Sequence, residues 1–400
     1  MNRYELVIGG GGLAAARAIK SYREAGGQGS ITLVTEEATL PYHRPALSKK
    51  YLRGEKTETP HVEEDAFYRE HDIDVLLERR VVAVDPVEQI VALDRGGRIR
   101  YGKLLLATGA APRRLRVPGG DLAGVFNLRT VGDSAAIREA AGASERAVVV
   151  GGGFIGMETA ASLRQLGLEV TLIHLGAGLF DQLGSAELSE QLAALYREHG
   201  VELLLEHEVA RFGGDGALAH VETTNGRRVA ADLGVVGVGV APNVDFLAGS
   251  GISLEDGIAV NERFETNAPG VYAVGDVASF FDPLYRRRRR IEHWSNANYQ
   301  GSEIGKILAG GDGGYDSVSS FFSEVFGTTV KVFGDVSRFD TATTEGCLAE
   351  GFLATYGNAG RLVGAVTVGH SEELETLVKE LIAERAPADA LEHEVVGGRS

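Results

Sequence analysis

Short apolar runs alternate with glycine-punctuated amphipathic stretches along most of the chain. YELVIGGGGLAAARAIKSYREAGGQGSITLVTEE, beginning at Tyr4, predicts a buried strand, a glycine turn, a helix closed by Gly26-Gly27 and a second strand. RAVVVGGGFIGMETAASLRQLGLEVTLIHLG, beginning at Arg146, predicts the same βαβ order, with Gly167 stopping the helix. Two further apolar strands run into small-residue turns: LLLATGAAPR (Leu104 to Arg113) through Ala107-Thr108-Gly109, and GVYAVGDVA (Gly270 to Ala278) through Gly275-Asp276. The glycine-rich AGGDGGYDS (Ala309 to Ser317) reads as a linker into a smaller α+β domain, which ends in a helix from Glu372 to Glu384 and a polar tail.

The two βαβ units carry dinucleotide-binding chemistry. The first turn is Gly10-x-Gly12-x-x-Ala15, with Leu13 and Ala14 opening the helix. Its glycines let the backbone approach a pyrophosphate, whose charge sits at the positive end of the helix. Glu36, at the end of the second strand, is the acid expected on a ribose hydroxyl. The second turn is Gly151-x-Gly153-x-x-Gly156, with Phe154 and Ile155 inside it, but its second strand ends in His174 where a carboxylate would favour NADH. Either turn alone is a weak signal, because a tight strand-helix connection also needs glycine; two in full βαβ context point to two bound dinucleotides.

Composition restricts the reading. The 400 residues are 44% hydrophobic and 24% charged, with a formal net charge of -16, which disfavours nucleic acid and anionic membranes as partners. One cysteine, Cys347, cannot form an intramolecular disulfide and suits a reducing cytoplasm. No apolar run reaches membrane-spanning length, so neither a signal peptide nor an anchor is expected.

The order of glycine turn, ATG, glycine turn and GD resembles the FAD-dependent pyridine-nucleotide oxidoreductases. LPYHRPALSKKYL (Leu40 to Leu52), FNLRTVGDS (Phe126 to Ser134), IEHWSNA (Ile291 to Ala297) and SFFSEVFGTTVKVFGD (Ser320 to Asp335) narrow the likeness. They are similar to the NAD(P)H-dependent ferredoxin and rubredoxin reductases and the related apoptosis-inducing-factor-like flavoproteins. The resemblance implies an α/β fold of two Rossmann-like domains and a small C-terminal α+β domain. An FAD domain (residues 1–112 and 241–315) would be split by an NAD(P)H domain (113–240), followed by the C-terminal domain (316–400).

The cofactors implied are FAD on the first turn and NADH or NADPH on the second. Glu36 would hold the adenosine ribose, Arg44 would approach the FAD pyrophosphate, and Asp276 would bind the ribityl chain or pyrophosphate. Arg129 would approach FAD or the nicotinamide nucleotide, and Trp294 would lie by the flavin with Glu292 and His293 beside it. Val81, Ala107, Thr108, Gly109, Gly239 and Gly275 complete the implied cofactor contacts. Lys49 and Glu158 carry the implied catalytic role, an ammonium beside the flavin's reactive nitrogen and a carboxylate that orients it. As isolated residues these are ordinary surface charges, Trp294 is ordinary core, and His43 and His293 are as readily structural. Phe321 and Phe322 stand where relatives place an aromatic residue over the flavin, and they read equally well as core.

A disulfide-reductase or peroxidase branch needs a cysteine close to the flavin, and Cys347 lies in the C-terminal domain. Electrons must therefore leave the flavin without a thiol relay. The run Arg286 to Arg290 offers a basic site for an acidic ferredoxin or rubredoxin, or is a solvated edge strand. A small acceptor such as a quinone, radical or oxygen, and a redox-sensing role like that of apoptosis-inducing factor, remain alternatives; the oligomeric state is open.

Overall fold

The computed structural model describes residues 1–391 and divides into two units. The polar tail expected at the C-terminus falls mostly outside the described residues. The first unit comprises Met1–His43, Thr59–Ala111 and Ala241–Ser317; the second comprises Arg44–Glu58, Pro112–Val240 and Val318–Ser400. The short segment Arg44–Glu58 thus belongs by its contacts with the second unit, although the chain on both sides of it builds the first.

In the first unit the strand Asn2–Gly9 lies centrally, parallel to Ile31–Val34 on one side and to Arg98–Leu106 on the other. Ile73–Leu76 extends the sheet in parallel beyond Ile31–Val34. Arg98–Leu106 changes partner along its length: Arg98–Arg100 pair antiparallel with Ile90–Ala92, whereas Leu104–Leu106 pair in parallel with Val271–Ala273. Leu6, Val7, Ile8, Leu104, Leu105 and Leu106 are almost fully buried, as continuous apolar runs require in a sheet covered on both faces. Two helices, Leu13–Glu24 and Trp294–Leu308, cross at very close range. A Cβ on Gly301 would stand 2.5 Å from the Ala14 carbonyl oxygen, and one on Gly305 would stand 2.6 Å from that of Ala18. Small residues on both helices therefore fix where their N-termini lie.

The second unit holds a five-stranded parallel sheet in the order Val201–Leu205, Glu169–His174, Arg146–Val150, Leu233–Val236, Val125–Asn127. The helix Phe154–Gln165 follows its central strand. The C-terminal part of the same unit is an antiparallel sheet in the order Ser320–Val325, Thr328–Gly334, Arg361–Val368, Gly351–Asn358, Thr341–Cys347, with the helix Glu372–Ala383 packed on it. No helix among the described residues is long and apolar enough to cross a membrane.

Candidate active site

The helices differ in how their first turns are satisfied. Thr130, Ser185 and Ser371 cap the helices that follow them with side-chain oxygens, and each of those helices has an acid in its first turn. Leu13–Glu24 and Phe154–Gln165 begin at Gly12 and Gly153 with neither a side-chain cap nor an acid. A helix start with no side-chain cap and no acid in its first turn has the electrostatic character of an anion site. Trp294–Leu308, starting after His293, is uncapped in the same way.

Each glycine in the first turn has its own reason. Gly10 adopts φ 112°, and a Cβ there would stand 2.2 Å from the Ala107 carbonyl oxygen, so strand and turn could not close with a larger residue. Gly12 has nothing within 4 Å of a Cβ position, which leaves a cradle that protein atoms do not fill. Glu36 is exposed just beyond the second strand, while its neighbour Glu37 is engaged by the Tyr42 hydroxyl at 2.5 Å. The Ala107-Thr108-Gly109 turn is locked to Asn243: Thr108 Oγ1 donates to the Asn243 carbonyl at 3.0 Å, and Asn243 Nδ2 donates to the Thr108 carbonyl at 2.9 Å. Val81 is buried beneath Gly9. The Gly275 N–H donates to Oε1 of the fully buried Gln300 at 2.8 Å, which ties the Gly275-Asp276 turn to the uncapped helix that starts at Trp294. Asp276 lies partly exposed in that turn.

Trp294 is 37% exposed, and its Nε1–H donates to His43 Nδ1 at 2.9 Å. Its one polar group is therefore satisfied while part of the ring stays accessible. Burial, helped by the Arg17 charge and opposed by Glu63, lowers the pKa of His43. Burial likewise pushes His293 down to about 4, against the pull of Asp276. Glu292 pairs with Arg290.

The second unit gathers the ionisable pair. Lys49 Nζ lies 2.6 Å from Glu158 Oε2, with side-chain exposures of 12% and 5%. Ser48 Oγ donates to Oε2 at 2.5 Å, and Ser323 Oγ, from the C-terminal sheet, donates to Oε1 at 2.7 Å. Both carboxylate oxygens are thus occupied, so the carboxylate is fixed in rotation and in turn fixes the ammonium. Ser48 and Ser323 lie in the LSK and FFSE stretches, but nothing local marks either serine as a partner of Glu158. Phe321 packs edge-on against Phe154 at 5.1 Å between centroids, while Phe322 is 49% exposed. Arg44 Nη1 donates to the Arg129 carbonyl at 2.7 Å, and the Arg113 N–H donates to the carbonyl of Gly239 at 2.9 Å.

In the second glycine turn, Gly151 adopts φ 115°, and a Cβ on Gly156 would stand 1.9 Å from the Gly151 carbonyl oxygen. Gly153 meets only Gln182 Nε2 at 3.7 Å, so here too the middle glycine borders a nearly clear space. His174 lies at the strand end, with Nδ1 accepting from the Gly152 N–H at 3.1 Å and Nε2 at 3.3 Å from Asp181 Oδ2.

The arginine run forms one strand of a hairpin, Arg287–Arg289 against Ala278–Asp282, with Arg286 exposed in the left-handed turn at φ 53°. Arg289 pairs with the buried Asp282 at 2.8 Å, Arg288 with Glu255 at 3.3 Å, and Arg290 with Asp256 at 3.2 Å as well as with Glu292. Much of the positive charge is therefore spent inside the first unit.

Two glycine turns, each opening a helix without a side-chain cap inside a βαβ unit, are the arrangement of a protein that binds two dinucleotides. The chain belongs to the pyridine nucleotide-disulphide oxidoreductase family, which it matches over residues 4–301. It is similar to putidaredoxin reductase of Pseudomonas putida, 33% identical over 392 residues that cover 96% of this chain and 93% of that one. Rhodocoxin reductase of Rhodococcus erythropolis is 33% identical over 385 residues, 96% of this chain and 90% of its own. Among solved structures, the covalent putidaredoxin reductase-putidaredoxin complex matches at a TM-score of 0.92 and 32% identity, over 96% of this chain and 94% of that chain. The cofactors are FAD and a nicotinamide nucleotide. The open cradle at Gly12, the orphan N–H groups after it and the free strand-end position of Glu36 fit a dinucleotide, as does the second turn at Gly153.

Proposed function

We propose that this chain is an FAD-dependent reductase that draws electrons from NAD(P)H and delivers them to a ferredoxin- or rubredoxin-type protein. The observation that carries this reading is the nearly full-length likeness to a reductase solved with putidaredoxin attached. Bound FAD supplies the step between a two-electron donor and a one-electron acceptor. The first turn, Gly10 to Ala15, holds the FAD pyrophosphate, with Glu36 on the ribose and Thr108, Gly109, Gly275 and Asp276 along the remainder. The second turn, Gly151 to Gly156, holds the nicotinamide nucleotide. Lys49 places a fixed positive charge where negative charge develops on reduction, and Glu158, held by Ser48 and Ser323, keeps that ammonium from swinging to solvent. Trp294, pinned through His43, offers an aromatic surface to the isoalloxazine or to the path out of it. No thiol takes part, because Cys347 ends an edge strand of the C-terminal sheet. We place the protein in the cytoplasm, where the nicotinamide pool and reduced carriers are found.

Anaerobic stopped-flow mixing tests the reading. The yellow protein should be bleached rapidly by a reduced nicotinamide nucleotide, then reoxidised rapidly by a small iron-sulfur ferredoxin. A persistent long-wavelength charge-transfer band with the ferredoxin ignored would replace carrier reduction with redox sensing.

A further inference from the structure

The second glycine turn lacks the strand-end carboxylate that usually accepts a bond from ribose, because His174 holds that place. The structure brings a carboxylate in from further along the chain. After His174 the backbone loops through Leu175–Leu179 and folds back, so that the Phe180 N–H donates to the Gly152 carbonyl at 3.0 Å. Phe180 is fully buried and left-handed, with φ 52°, an uncommon conformation for a bulky residue that the surrounding packing must enforce. The next residue is Asp181, whose Oδ2 stands 3.3 Å from His174 Nε2.

Hydrogen bonding sets the direction of this pair. The Gly152 N–H donates to His174 Nδ1 at 3.1 Å, so Nδ1 is an acceptor and the ring proton sits on Nε2, aimed at Asp181. A backbone N–H of the phosphate turn therefore fixes the tautomer, and the ring fixes the carboxylate. The ring is 16% exposed and the Asp181 side chain 45%, so the imidazole is covered while the carboxylate still reaches solvent. Gly176 makes the approach possible, since a Cβ there would stand 2.0 Å from Asp181 Oδ2.

Along the chain, this segment carries acids and no cation. No lysine or arginine occurs between Arg164 and Arg197, and Glu206, whose N–H donates to the Gly176 carbonyl at 3.1 Å, adds another acid. A 2′-phosphate needs an arginine or lysine at this place. We infer that Asp181, oriented by His174, is the specificity residue that accepts from the 2′-hydroxyl of the nicotinamide nucleotide's adenosine ribose and repels a 2′-phosphate. NADH is then the donor. The inference rests on the second turn holding the nicotinamide nucleotide.

Calorimetric titration of the FAD-loaded protein with NAD+ and with NADP+ tests it without turnover. NAD+ should bind at least about tenfold more tightly, the range of one charge-assisted hydrogen bond. Asp181→Asn should bring the ratio towards unity, and adding His174→Glu to that variant should restore it by returning a carboxylate to the strand end. Equal or tighter binding of NADP+ by the unaltered protein overturns the inference, whether or not the variants fold. An Asp181→Asn protein that keeps its FAD and the original ratio overturns it too, leaving the second-turn reading intact. Failure of both nucleotides to bind would remove that reading along with this one.

Discussion

Glu158 accepts from Lys49, Ser48 and Ser323 at once, so its carboxylate has one orientation available. Such a pair costs free energy to desolvate, and breaking it from one side leaves the other charge buried and unpaired. Glu158→Gln should slow flavin reduction by about tenfold to a hundredfold, by releasing the ammonium, while leaving the visible FAD spectrum in place. Rapid-scan absorbance under anaerobic conditions checks both parts, and unchanged reduction in this variant and in Lys49→Ala would remove the pair from the mechanism. His293 makes a different prediction. Its pKa falls from the ordinary 6.5 to about 4 on folding, so between those values the unfolded chain binds a proton that the folded chain excludes. Its contribution to stability is fully present above pH 6.5 and is lost as the pH falls towards 4. Urea unfolding at pH 7 and pH 4.5 should therefore show a smaller acid-side loss in His293→Asn than in the parent protein; equal losses would contradict the assignment.

At the scale of elements, the glycines of one motif do separate jobs. A methyl group at Gly12 meets no protein atom, whereas one at Gly156 collides with the carbonyl of its own turn. Gly12→Ala should consequently leave the melting temperature of the FAD-free protein nearly unchanged but bind FAD weakly, and Gly156→Ala should melt at lower temperature even without FAD. The ratio of flavin to protein absorbance, read beside a melting curve, separates the two effects. Both βαβ units were legible in the sequence because local pattern suffices: a buried apolar strand, a turn that only glycine can make, and an amphipathic helix with a glycine stop. The serines around Glu158 were not, since 110 and 165 residues separate Ser48 and Ser323 from it, and only folding brings them together. Asp181 was hidden for a related reason. Its approach to His174 depends on a left-handed phenylalanine, which no propensity anticipates.

For the whole molecule, a net charge of -16 opposes an acidic carrier at long range, so encounter depends on local positive charge. Sequence alone made Arg286 to Arg290 the obvious candidate, but side-chain pairing could not be read there: Arg288, Arg289 and Arg290 all have acidic partners within the first unit. Arg286, exposed at the hairpin turn, is the member of the run best placed to meet a partner. The run should therefore divide by function. Arg289→Ala leaves Asp282, 1% exposed, without its cation and should lower stability by about 3 kcal/mol, as loss of one side of a buried pair does. Arg286→Glu should leave stability and reduction by the nicotinamide nucleotide unaltered while slowing reoxidation by an acidic ferredoxin and flattening its dependence on salt. Stopped-flow rates at two ionic strengths, set beside unfolding curves for both variants, decide the matter. If Arg286→Glu reduces the ferredoxin at the parent rate and with the parent salt slope, the hairpin is a structural strap alone and the carrier docks by other residues.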